Sequence, residues 1–136
     1  MSKHALLALA LVSLASCGGD SSSTDDDYQM ALDAANAKQA EAISLAPASP
    51  CNAVQQCSNL MFDLPEGHCV VQSYRAYSLA STTADAASAA AADQRTLALH
   101  AVAIAPPPPT ACATVITLPP NLACVANTCQ VAAPAR

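Results

Sequence analysis

The sequence predicts a small α+β fold: a disulfide-stapled antiparallel sheet of three to five strands with one packed Ala-rich helix. Three observations carry this. Six cysteines, Cys51, Cys57, Cys69, Cys112, Cys124 and Cys129, crowd into the second part of the chain. An even count in a short segment reads as a disulfide framework. Apolar and β-branched runs at 58–64, 70–79 and 114–118 have Pro, Gly or turn residues nearby, as strands do. Residues 86–103 are Ala-rich and free of Gly and Pro, which favours helix. Hydrophobic residues make up 53% of the chain, but 33 of the 136 residues are Ala, so the core is thin and needs staples.

The first element is an address. Lys3 precedes an apolar run over 5–15, followed by Ser16 and Cys17. The run is too short to cross a bilayer and suits the apolar stretch of a signal peptide. The quartet Leu14-Ala15-Ser16-Cys17 resembles the lipobox of bacterial lipoproteins. That resemblance implies a diacylglyceryl group on the Cys17 thiol, cleavage between Ser16 and Cys17, and acylation of the new amino group. Gly18, where Asp would favour the inner membrane, implies the outer one in a cell with two membranes. Two or three acyl chains would hold the protein on a membrane. The plainer alternative is a secretory signal with Cys17 left as a free thiol.

The expected organisation is therefore a signal peptide at 1–16, a lipidated Cys with a flexible acidic tether at 17–27, an Ala-rich helix and Pro linker at 28–49, a six-cysteine domain at 50–132 and a tail at 133–136. Residues 18–27 carry two Gly and four Asp and bury too little to order themselves. Weak cation binding there is the lesser reading. Residues 28–45 are helix-forming, with Asp27 as N-cap. Tyr28, Met30, Leu32, Ile43 and Leu45 make no continuous stripe, so the helix docks weakly or frays. Pro47 and Pro50 mark the boundary of the folded unit.

Within 50–132, the strand at 58–64 is expected to stop at Pro65-Glu66-Gly67, and a second strand to run over 70–79. Thr82-Thr83-Ala84-Asp85 resembles a capping box with Asp in place of Glu. The helix then continues to about residue 103, with Leu97, His100 and Ile104 on one face beside Leu99 and Val102. Its near-continuous Ala stretch can approach a sheet closely. Pro106 to Pro109 form an extended polyproline spacer, or less simply a PxxP ligand. A strand at 114–118 precedes a hairpin at 122–131 that turns at Ala126-Asn127. Cys124 and Cys129 then face each other closely enough to bridge. Cys51 and Cys57 can bridge if 52–56 form a helical turn. The rival is that each local pair points one way and stitches to distant partners.

The spacing Cys51-x5-Cys57, then Cys69 followed by Ser73-Tyr74-x-x-Tyr77-Ser78, then Cys112 and Cys124-x4-Cys129 is similar to that of a group of small bacterial lipoproteins and exported proteins. The likeness covers residues 50–131. It implies an exported, disulfide-bonded domain and carries over no activity. The group usually has Gly-Gly-Pro after the third Cys, where this chain has Val70-Val71-Gln72.

A net charge of −5 with five Lys and Arg argues against nucleic acid, and one Phe with three Tyr leaves no stacking platform. His68 beside Cys69 invites a zinc or thiol-nucleophile reading, but an exported Cys is more often oxidised. His100 reads as a packed core edge. Asp63 and Glu66 flank Pro65 and read as solvated turn acids. Glycine only at 18, 19 and 67 excludes a Gly-rich phosphate loop, and no Ser lies in a Gly-x-Ser-x-Gly context. No metal or cofactor is expected. The expected role is a non-enzymatic interaction or structural module, held to the membrane by its N-terminal lipid and meeting an envelope protein partner. The alternative is a small disulfide-rich inhibitor or ligand-binding module that inserts the loop at 63–68 into a partner.

Overall fold

The structure, a computed structural model, describes residues 22–107, 111–112 and 117–133. Its elements in order are helix α1 (Ser22–Leu45), a 3-10 turn (Val54–Gln56), strands β1 (Cys57–Glu66) and β2 (Cys69–Ser78), helix α2 (Ala84–Ile104), and strands β3 (Leu122–Val125) and β4 (Thr128–Val131). The α+β class, the antiparallel pairing and the packed helix with three disulfides are as predicted.

β1 and β2 form a ten-pair antiparallel hairpin closed by Gly67 and His68. Gly67 takes φ +62°, the conformation that the first position of a tight primed turn demands. Pro65, expected to stop the strand, lies inside β1. Its place in the register explains the tolerance. The pair Glu66–Cys69 flanking a two-residue turn is hydrogen-bonded, so alternation puts Pro65, opposite Val70, at a non-bonded position. The missing N–H therefore costs the ladder nothing.

Leu60, Phe62 and Leu64 alternate onto one face of β1 and, with Tyr77 of β2, meet Ala84, Ala87, Ala90 and Ala91 of α2. Helix α1 joins the same core through Ala42, Ile43 and Leu45. The two helices run antiparallel. Thr83, the N-cap of α2, donates its hydroxyl to Leu45 O at the far end of α1 (2.7 Å), while Lys38 of α1 approaches Asp93 of α2 (3.8 Å).

Four expectations about the helices change. Residues 22–27 of the proposed tether are the first turns of α1, and Asp27 is no N-cap; Asp25 in the first turn complements the positive end of the helix dipole. Residues 17–21 lie outside the described residues. α1 docks firmly, because the fully buried part of its contact face is Ala35 and Ala42, with Ile43 and Leu45 packed against the core only at its last turn. Small residues let two helices approach closely, which a search for large apolar stripes misses. The supposed boundary at 46–50 is knitted in as well: Ser78 N bonds Pro47 O (2.9 Å) and Cys129 N bonds Ala48 O (2.7 Å). Finally, the expected capping box is not formed: Thr83, not Thr82, is the N-cap, which takes Asp85 out of the N3 position, and the Thr83 hydroxyl bonds Leu45 O.

The single sheet of three to five strands is replaced by two separate two-stranded ladders, β1–β2 and β3–β4. The segment at 47–50 runs between β2 and β4 and accepts a hydrogen bond from each. With Pro at 47 and 50 it has too few N–H groups to become the strand that would join them. Thr117 and Leu118 are not in a strand, and residues 114–116 of that expected strand lie outside the described residues. The turn of the second hairpin is as predicted: Ala126 and Asn127 both take positive φ (49° and 63°), as a type I′ turn requires.

Candidate functional site

The six cysteines form three disulfides, Cys51–Cys124, Cys57–Cys129 and Cys69–Cys112. The stitched arrangement replaces both local pairings. Cys124 and Cys129 do oppose each other in the register of β3 and β4. Opposed residues share a face of a hairpin, and that face lies against the segment at 51–57. Each sulfur is therefore bonded to a partner there and not to the other. The 3-10 turn at Val54–Gln56 spaces Cys51 and Cys57 to receive them.

The sulfurs of Cys51, Cys57 and Cys129 lie within 4.8 Å of one another. This is ligand spacing, but all three are consumed in S–S bonds, and metal coordination needs thiolates. Ser16 and Cys17, the expected cleavage and lipidation residues, lie outside the described residues, as do Pro108 and Pro109 of the polyproline run.

The loop expected to protrude at 63–68 is exposed only at Glu66. Asp63 has a side chain only 5% exposed, and its Oδ2 lies 3.3 Å from Arg95 Nε. Its Oδ1 is buried without a hydrogen-bond partner among the described residues. Glu66 is exposed, so the two acids do not form a pair at a turn. His68 stands 3.0 Å from Val102 O near the end of α2. A carbonyl only accepts, so Nδ1 carries the proton in this contact. His68 thus adds a second donor to a carbonyl in the last turn of α2 that also accepts Ala105 N (3.4 Å).

Gln94, fully buried, is the polar residue that sequence reasoning missed. Its Oε1 accepts from Asp63 N (3.2 Å) and its Nε2 donates to Asp63 O (2.7 Å). Asp63 sits at a non-bonded pair of the hairpin, with its N–H and C=O pointing off the free edge of β1. One carboxamide thus stands in for a neighbouring strand and closes an edge that would otherwise be open. Gln94 falls at helical spacing with Ala87, Ala91, Ala98 and Ala101, and that small-residue stripe was the signal available in the sequence.

The predicted apolar stripe of α2 is not its packed face. Leu99 is 53% exposed, His100 is exposed, and Leu97 and Ile104 are half-buried. The buried stripe is Ala87, Ala91, Gln94, Ala98 and Ala101. Because alanines make the helix contact, the larger side chains beside them stand off and leave a groove of about 530 Å³. Met30 and Ala31 of α1 and Leu97, His100 and Ile104 of α2 line it, with Thr24 and Asp27 toward the start of α1. Elsewhere on α1 the Lys38 ammonium is held above its ordinary range, first by its hydrogen bond to Glu41 (2.8 Å) and then by the charges of Glu41 and Asp93.

Neither a protein-family model, nor a curated protein, nor a solved structure matches the chain. Among the described residues no helix is long and apolar enough to cross a membrane.

Proposed function

We propose that the protein is a membrane-anchored envelope lipoprotein whose disulfide-bonded unit is a non-enzymatic structural or interaction module. The observation that carries this reading is the quartet Leu14-Ala15-Ser16-Cys17, set directly behind a positive residue and an apolar run. Three disulfides support it, since they persist in oxidising compartments outside the cytosol. Gly18 favours the outer membrane where two membranes exist. The inhibitor alternative has less support, because Asp63 is buried and the turn at Gly67 and His68 is half-buried, which leaves Glu66 as the exposed residue of that loop.

Metabolic labelling with radioactive palmitate tests the anchor. The wild-type chain is expected to take up label and Cys17→Ala to take up none. Equal labelling of the two, or an unlabelled wild type, removes the lipoprotein reading. Crosslinking in intact cells then tests the module, and recovery of lipid alone with no protein partner counts against an interaction role.

A further inference from the structure

We propose that the groove between α1 and α2 holds one acyl chain of the protein's own N-terminal lipid, carried on Cys17. The proposal rests on the lipoprotein reading and adds a ligand site to it. The groove has the size of a small-molecule site between helices, where about 300–1,000 Å³ is usual. Its walls are mostly apolar: Met30 and Ala31 on one helix, Leu97 and Ile104 on the other, with His100 the polar side chain among them. Met30 stands 69% exposed at its rim, apolar surface that an alkyl chain would cover.

The position of the chain outside the structure selects the occupant. Thr24, the first lining residue, lies seven positions after Cys17. Because the helices are antiparallel, Ile104 lies toward this entrance and Leu97 toward the inner end. A chain attached at Cys17 would enter at the start of α1 and run inward. So short a connection gives the attached group a high effective concentration at the groove. Charge points the same way. Asp27 stands near the entrance and would repel the carboxylate of a free fatty acid, whereas an acyl group joined through an ester or amide brings no charge. Nor does capture of one chain release the protein. One acyl chain anchors only marginally but two suffice, so a triacylated Cys17 can give one to the groove and keep two in the bilayer.

The test is photo-crosslinking of the full chain in cells fed a palmitate analogue bearing a diazirine and an alkyne. After irradiation of membranes, the lipid-bearing N-terminal peptide is expected to be joined to the tryptic peptide beginning at Thr96. Met30→Asp, at an exposed position that leaves packing intact, is expected to keep full palmitate incorporation and lose most of that crosslink. Crosslinks to bilayer lipid alone overturn the proposal while leaving the lipoprotein reading in place. So does a Thr96 peptide labelled equally in Cys17→Ala, which assigns the groove to a lipid from the membrane. A wild type that incorporates no analogue removes both.

Discussion

The two ends of the molecule are held together by different forces. At one end α1, α2, β1 and β2 share a core in which Phe62, Leu60 and Tyr77 are buried among alanines. At the other end the hairpin of β3 and β4 leaves Val125 and Val131 at least half exposed, and Cys129 is its one fully buried residue. The first region gains from removing apolar surface from water. The second has little such surface to remove. It is attached by two disulfides and by single backbone bonds, Cys129 N to Ala48 O and Cys51 N to Asn127 O (3.2 Å). The lesson is that the covalent staples are placed where burial fails. Both bridges from the hairpin close loops of more than 70 residues, for which the entropic benefit of a crosslink is largest.

The sharpest way to break this contrast is at Phe62. Phe62→Ala should destabilise the protein by about 3–5 kcal/mol, measured by urea unfolding, because it removes the largest fully buried side chain. A loss below about 1 kcal/mol would mean the core collapses onto the gap and the helical region is less dependent on packing than described. Next is the double variant Cys57→Ser with Cys129→Ser. It should cost about 2–4 kcal/mol. Amide exchange should speed first at Cys51 and in β3–β4, with the helices still protected. Uniform loss of protection across α1 and α2 would show that the two ends are one cooperative unit.

Gln94→Leu probes the joint between helix and sheet. It keeps volume but leaves the N–H and C=O of Asp63 without partners, at a cost of about 1–3 kcal/mol. If the variant is as stable as wild type, water replaces the carboxamide and the edge of β1 is open. The smallest effect is of opposite sign. Ala126 holds φ 49°, which a Cβ disfavours, so Ala126→Gly should stabilise by roughly 1 kcal/mol. That gain should show as a higher thermal midpoint with all disulfides intact. A lower midpoint would argue against the type I′ turn.

Local chemistry made some of the fold legible. The turn at Ala126-Asn127 follows from the spacing of Cys124 and Cys129 and the left-handed tolerance of Asn. The strands predicted around 58–64 and 70–79 agree with β1 and β2 within a residue or two, apart from the end of β1, which continues through Pro65. Its tolerance depends on which way the missing N–H points, which is a property of the register. The candidate groove was illegible for a related reason. The spacing of large aliphatic residues on α2 predicts that they form its buried face, but α1 supplies alanines opposite, so the close contact lies between small side chains and the large ones stand beside it.

By itself the sequence determined the fold class, the long hairpin strands, the Ala-rich helix α2, the turn at Ala126-Asn127 and the even set of six cysteines, because these follow from composition, residue period and turn chemistry within a few positions along the chain. Only the tertiary structure decided which cysteine meets which, where α1 goes, and that Gln94 completes a sheet edge. Those outcomes depend on the faces that distant segments present to each other, and no local preference encodes a direction in space.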